Sequence, residues 1–147
     1  MGHTSQRGFS LVEVLVASGI TLILAAIAVP SFYTLSQETG LVSAQREVMT
    51  ALYLARSNAI AKNAPRTVLF TPPQLIQIQD QAHTTIYTRS LNVYGSGISL
   101  TEQSAASITY DARGLISPPA SFTLTVTNAQ RQTKAVTVYP TGKPTAS

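Results

Sequence analysis

Cysteine and tryptophan are absent from this chain, and charged side chains make up only 11% of its 147 residues. Without thiols there can be no disulfide framework, no thiolate-bound zinc or iron–sulfur centre and no cysteine nucleophile, so a folded domain must rest on its apolar core. Histidine is scarce too, His3 and His83 being the only two. No glycine-rich loop of phosphate-binding pattern accompanies them, so catalytic triads, zincins and P-loops all lack parts. The acids number six. Of these, Asp80, Glu102 and Asp111 fall in separate predicted turns or strand ends, which places no acid beside a base. The expectation is a protein that is not an enzyme and takes no cofactor or metal.

Charge is missing most conspicuously from Val14 to Gln37, 24 residues without an ionisable acid or base. As a helix this stretch reaches ~36 Å, enough to cross a hydrocarbon core of about 30 Å. One carboxylate stands at its head. Glu13 lies among Phe9, Leu11, Val12, Val14 and Leu15, where an ionisable group costs several kcal/mol unless something neutralises it. A conventional secretory signal could end at Ala26-Ile27-Ala28, and a plain single-span anchor would tolerate an acid near the interface. Against the signal stand Glu13 itself and a helical pattern that continues past Ala28. Arg7 precedes the span, which favours a cytoplasmic amino terminus.

The run Gly8-Phe9-Ser10-Leu11-Val12-Glu13, opening a long apolar helix, resembles the leader junction of type IV pilins and type II secretion pseudopilins. The resemblance implies that a prepilin peptidase cuts after Gly8, that the new amino-terminal Phe9 is methylated, and that Glu13 becomes the fifth residue of the mature chain. It also implies a partner for Glu13, the freed amine of a neighbouring subunit's first residue, so that the charge is paired only inside a filament.

After Phe32 and Tyr33, suited to a membrane interface, the pattern becomes amphipathic. Leu41, Val48, Leu52, Ala55 and Ala59 recur at helical spacing with Gln45 in one slot, while Val42, Met49, Tyr53 and Ile60 widen the stripe. Arg46, Glu47 and Thr50 fall mainly opposite. Pro30 predicts a kink or local unwinding at residues 26–30, and Lys62-Asn63-Ala64-Pro65 reads as a stop in which Asn63 takes the left-handed cap. From Arg66 on the period is two. Strands are expected over 67–70, 75–79, 84–88, 98–100, 107–110, 122–128 and 134–139, separated by proline and glycine breakers.

These elements imply an α+β fold, a long amino-terminal helix packed on an antiparallel sheet. The chain divides into a leader (1–8), a membrane or filament-core helix (9–37), an amphipathic helix (38–64) and a β domain (65–147). The helix end Ala51-Leu52-Tyr53-Leu54-Ala55-Arg56-Ser57-Asn58-Ala59-Ile60, followed by Arg66-Thr67-Val68-Leu69-Phe70, and the later Tyr110-Asp111-Ala112-Arg113-Gly114 are similar to the GspH/FimT branch of minor pilins and pseudopilins. Arg56 itself reads as a surface arginine. The resemblance implies a subunit of a type II secretion pseudopilus or type IV pilus, held in the bacterial inner membrane with its β domain periplasmic, and later part of a filament. Its partners would be prepilin peptidase and other pilins.

Beyond Asp111 the chain carries Arg113, Arg131, Lys134 and Lys143 and no acid. Some members of the FimT branch bind DNA through a Gly-Arg-x-Arg tail, and Gly142-Lys143-Pro144-Thr145 keeps one of its two cations. Arg131, Lys134 and Lys143 are the candidate phosphate contacts, but phosphate affinity scales with the number of cations, so nucleic acid is not the favoured partner.

Overall fold

The computed structural model describes residues 10–95, 97–102 and 107–147, and the chain separates into two compact units, Met1–Ser36 and Gln37–Ser147. One helix, α1 (Leu11–Ala61), passes through both.

In the first unit the residues from Leu11 on are all helical and their apolar side chains are exposed, Leu11 at 77% and Phe32 at 71%. Three hydroxyls bond back to their own helix: Thr21 donates to Ala17 O at 2.8 Å, Ser31 to Ile27 O at 3.3 Å and Thr34 to Pro30 O at 3.1 Å. Such bonds satisfy a hydroxyl without water. Of the kink or local unwinding expected at residues 26–30, the unwinding does not occur, since α1 continues through Pro30. Proline removes one donor from the ladder, and the turns on either side keep theirs.

In the second unit α1 buries the predicted stripe of Leu41, Gln45, Val48, Leu52, Ala55 and Ala59, together with Ala44 and Ala51. Tyr53 and Ile60, expected to widen that stripe, are instead 44% and 50% exposed. Tyr53 lies beside Pro144, whose carbonyl its hydroxyl meets at 3.4 Å, and Ile60 beside Gly114. The helix stops as predicted. Asn63 adopts φ 47°, its N–H reaches Ile60 O at 3.2 Å, and the Ala64 N–H reaches Ala59 O at 3.1 Å. This pair of bonds is a Schellman motif with asparagine in the left-handed position.

Two antiparallel sheets follow. β1 (Arg66–Thr71), β2 (Leu75–Gln79), β3 (Thr85–Ser90), β5 (Ser107–Tyr110) and β6 (Ile116–Ser117) form the first, in the order β3-β2-β1-β5-β6. The second has β4 (Ser99–Glu102), β7 (Phe122–Thr127), β8 (Thr133–Val138) and β9 (Pro144–Ala146), in the order β4-β7-β8-β9. Alternation sends Val68, Phe70, Ile76, Ile78 and Ile108 of the first sheet, and Leu100, Leu124, Val126, Val136 and Val138 of the second, into one core with the α1 stripe. Phe70 and Phe122 stack across the sheets with centroids 5.6 Å apart. Backbone bonds tie the sheets at two further places, Leu100 N–H to Pro73 O at 2.7 Å and Ile116 N–H to Pro140 O at 3.2 Å.

The edge strand β9 has a consistent orientation. Ala135 and Ser147 exchange bonds of 3.1 and 3.0 Å, and the Tyr139 N–H reaches Lys143 O at 3.3 Å. Residues 143, 145 and 147 therefore turn their backbone groups toward β8, while Pro144 and Ala146 turn theirs to the free edge. Pro144 has no N–H, and its carbonyl accepts the Tyr53 hydroxyl at 3.4 Å.

Candidate functional site

Gly8 and Phe9, the residues of the expected cleavage, lie outside the described residues. Glu13 is described, in the first turn of α1. It shares one face with Ala17, Ser18 and Thr21, flanked by Val14 and Leu22, and these line a shallow open depression. Small side chains there let another helix approach closely. The carboxylate meets no partner among the described residues, whereas the hydroxyls of Thr21, Ser31 and Thr34 are bonded within the helix. Glu13 is thus the strongest polar demand on an otherwise apolar, exposed segment.

The three candidate phosphate contacts are not brought together. Arg131, at φ 61°, is in the turn from β7 to β8, Lys134 is the second residue of β8, opposite Val126, and Lys143 lies in the turn from β8 to β9. At about 3.3 Å per residue, the length of β8 separates the first from the last by more than ~15 Å. Asp80 and Asp111 are engaged locally. Asp80 Oδ1 accepts the N–H groups of Ala82 and Thr84, both at 2.9 Å, and the exposed His83 lies in the same turn. Asp111 Oδ1 accepts those of Leu115 and Arg113 while Oδ2 pairs with the Arg113 guanidinium at 2.9 Å. The Leu115 bond foremost, with Arg113, holds the Asp111 carboxyl below its ordinary range.

Arg56 is not the surface arginine that its helical position suggests. Its Nε donates to Gly114 O at 3.0 Å and its Nη2 to Thr141 O at 3.2 Å. The guanidinium thereby joins α1 to the β5–β6 turn of one sheet and the β8–β9 turn of the other. Both turns need glycine. Gly114 and Gly142 have φ of 77° and 76°, and a Cβ on Gly142 would collide with Gly114 O. The helix end and the later 110–114 stretch that resemble the GspH/FimT branch are in direct contact here through Arg56 and Gly114, 58 residues apart. Beneath them Tyr110 is wholly buried, and burial pushes its phenol far above its ordinary value.

Sequence reasoning missed a second cluster. Glu47 accepts the hydroxyls of Tyr87 and Tyr94, each at 2.5 Å, and the Nε of Arg89 at 3.3 Å. Tyr87 and Arg89 come from β3 and Tyr94 from the 3-10 helix Leu91–Tyr94. Burial raises the pKa of Glu47, but the hydrogen bonds from Tyr87, Tyr94 and Arg89 outweigh it, and the net direction is down. On the opposite flank of α1, Gln45 Nε2 donates to Ala135 O at 2.8 Å and Ser147 O at 3.1 Å. One carboxylate and one amide thus fasten the helix to both sheets.

Comparison with known proteins bears on both units. Residues 44–142 match the family model of the type II transport protein GspH, and residues 3–29 match the prokaryotic N-terminal methylation motif. Among solved structures the fold is similar to the type IV minor pilin FimU of Pseudomonas aeruginosa, with a TM-score of 0.66 at 15% identity over 77% of this chain and 92% of that one. It is also similar to the minor pseudopilin EpsH of the Vibrio cholerae type 2 secretion system, with a TM-score of 0.57 at 14% identity over 74% of this chain and 96% of that one. No curated protein sequence matches.

Proposed function

The chain belongs to the GspH family of type II transport proteins, and from that premise we propose that it is a non-enzymatic filament subunit, a minor pilin or pseudopilin that acts in pseudopilus or pilus assembly. The observation that carries this reading is Glu13: a carboxylate without a partner among the described residues, at the head of an exposed, membrane-length apolar helix, inside a stretch that matches the N-terminal methylation motif. Prepilin peptidase releases the chain at Phe9 and methylates it. The segment 9–37 holds the subunit in the inner membrane, with the β domain in the periplasm, until a neighbour's amino terminus neutralises Glu13 within the filament.

Two measurements test this together. Co-expression with a prepilin peptidase yields a mature chain that begins at Phe9 and carries one extra methyl by mass spectrometry; a first residue near Val29 would identify a conventional signal instead. Glu13→Ala leaves processing and membrane insertion intact but lowers co-purification with other pilins by about tenfold or more, the consequence of losing one charge pair in a low-dielectric setting. Unchanged co-purification removes the pairing role.

A further inference from the structure

The edge of the first sheet lies against α1 with little apolar surface to hold it there. β3 pairs with β2 on one side, and the order β3-β2-β1-β5-β6 leaves its other side open. None of its six side chains is buried, and Ile86 is 46% exposed. The pairing with β2 is also broken by a register shift between Ile78 and Gln79. In the 3-10 helix that follows, Leu91 is buried while Val93 is 68% exposed. A segment that buries so little opens at a lower free energy than strands such as β7, in which every second side chain is in the core.

What fastens this segment to the helix is polar. Tyr87, Arg89 and Tyr94 all donate to Glu47, whose side chain is only 11% exposed. Residues two apart on a strand share a face, so Tyr87 and Arg89 reach α1 together while Thr88 turns away. One turn earlier on α1 the contact is between backbones: Tyr94 O comes so near Gly40 that a Cβ there would collide with it. No side chain of residue 40 interlocks the two. Three donors from one edge segment therefore converge on a single carboxylate.

We propose that residues 85–94 form an acid-released strap: ionised Glu47 holds it on α1, and protonation of that carboxylate lets it lift, uncovering Leu91 and the bare backbone of α1 at Gly40. Protonation removes the charge that strengthens each bond, and the added hydrogen displaces a donor. Burial opposes the charge on Glu47, but the bonds from Tyr87, Tyr94 and Arg89 outweigh it and set its pKa in the closed state below 4.5. The hold is therefore complete above 4.5 and is lost as pH falls through the lower value. The groups that act on Glu47 are Tyr87 and Arg89 from β3 and Tyr94 from the 3-10 helix. Both phenols are raised above 10.0 and the guanidinium stays charged, so among these groups Glu47 is the one that changes state in acid.

The test is hydrogen exchange of the full-length protein in detergent micelles from pH 7 to 3, each rate corrected for the intrinsic effect of pH. Protection of the amides in 85–94, among them the Leu91 N–H bonded to Gln74 O at 2.8 Å, falls by up to about tenfold per pH unit below 4.5, the slope of one proton. It is lost at a pH where β7 and β8 remain at least about a hundredfold protected. Glu47→Gln shows the released strap at neutral pH and no acid step. Tyr94→Phe, which deletes one donor and leaves the carboxylate, loses protection at a higher pH than the parent chain. Asp111→Asn, at a carboxyl that is also held below its ordinary range, leaves the step where it was. A step that survives Glu47→Gln, a step that moves with Asp111→Asn, or no step down to pH 3 would each overturn the strap. Loss of protection in β3, β7 and β8 together would overturn it in favour of global unfolding. None of these readouts depends on processing or filament assembly, so the two proposals fail separately.

Discussion

A carboxylate that accepts two phenols and a guanidinium couples folding to pH at both ends of the scale, and Glu47 is such a group. Its folded pKa lies below the ordinary 4.5 because the bonds from Tyr87, Tyr94 and Arg89 outweigh the opposing effect of burial. The stability this contributes is complete above that value and is lost as pH falls through the lowered one. The phenols act in the opposite sense. Tyr87 is raised above 10.0 by burial first and then by Glu47, and Tyr94 by Glu47 first, so their contribution is complete below 10.0 and lost as pH rises beyond it. Thermal melting from pH 3 to 11 should show both limbs, and Glu47→Gln should lower the plateau by about 1–3 kcal/mol while making the acid limb shallower. Identical acid limbs in the two proteins would assign the titration to another group. Nothing in the sequence marks this residue. Its partners are 40 to 47 positions away, and a helical pattern that sorts apolar from polar places Glu47 with Arg46 and Thr50 on the wet side. Arg56 was hidden for the same reason: its partners are backbone carbonyls, which have no sequence signature at all.

Elements were more legible than residues, because periodicity is a local property. The stripe from Leu41 to Ala59, the Asn63 stop and the strands β2 and β5 agree with the spacing, and most other strands differ only at their ends. What escaped was short or irregular: β6 has two residues and β9 begins with Pro144, too little for a period of two to register. The 3-10 helix also escaped, and with it the reason for Gly40. There the backbone of Tyr94 comes so close to α1 that a Cβ on Gly40 would collide with Tyr94 O. Gly40→Ala is expected to destabilise the domain by about 1–3 kcal/mol in chemical denaturation, through overpacking against an atom that cannot rotate away. Gly19 is the matched control, since a Cβ there meets nothing within 4 Å. Alanine at that position should be neutral or slightly helix-stabilising. Equal effects at the two glycines would mean that helix propensity, and not the approach of Tyr94, decides.

For the whole molecule the two units divide the physical tasks. Every described residue of the buried core, from Leu41 to Val138, belongs to the second unit, so a chain that begins at Gln37 is expected to fold without the apolar helix and to run as a soluble monomer in size-exclusion chromatography with cooperative thermal unfolding. Aggregation or non-cooperative melting of that fragment would show that the first unit contributes to the fold. Full-length protein meets a different hazard. If it is the membrane-held subunit proposed above, its copies are confined to two dimensions, where their local concentration is high and encounters between like faces recur. An open strand edge would turn that crowding into irreversible strand exchange between neighbours. At β9 the free edge offers only the groups of Ala146, since Pro144 has no hydrogen to give and its oxygen already holds the Tyr53 hydroxyl. Along this edge a subunit can lie beside its own kind without templating them, and its associations there are left to contacts made by side chains.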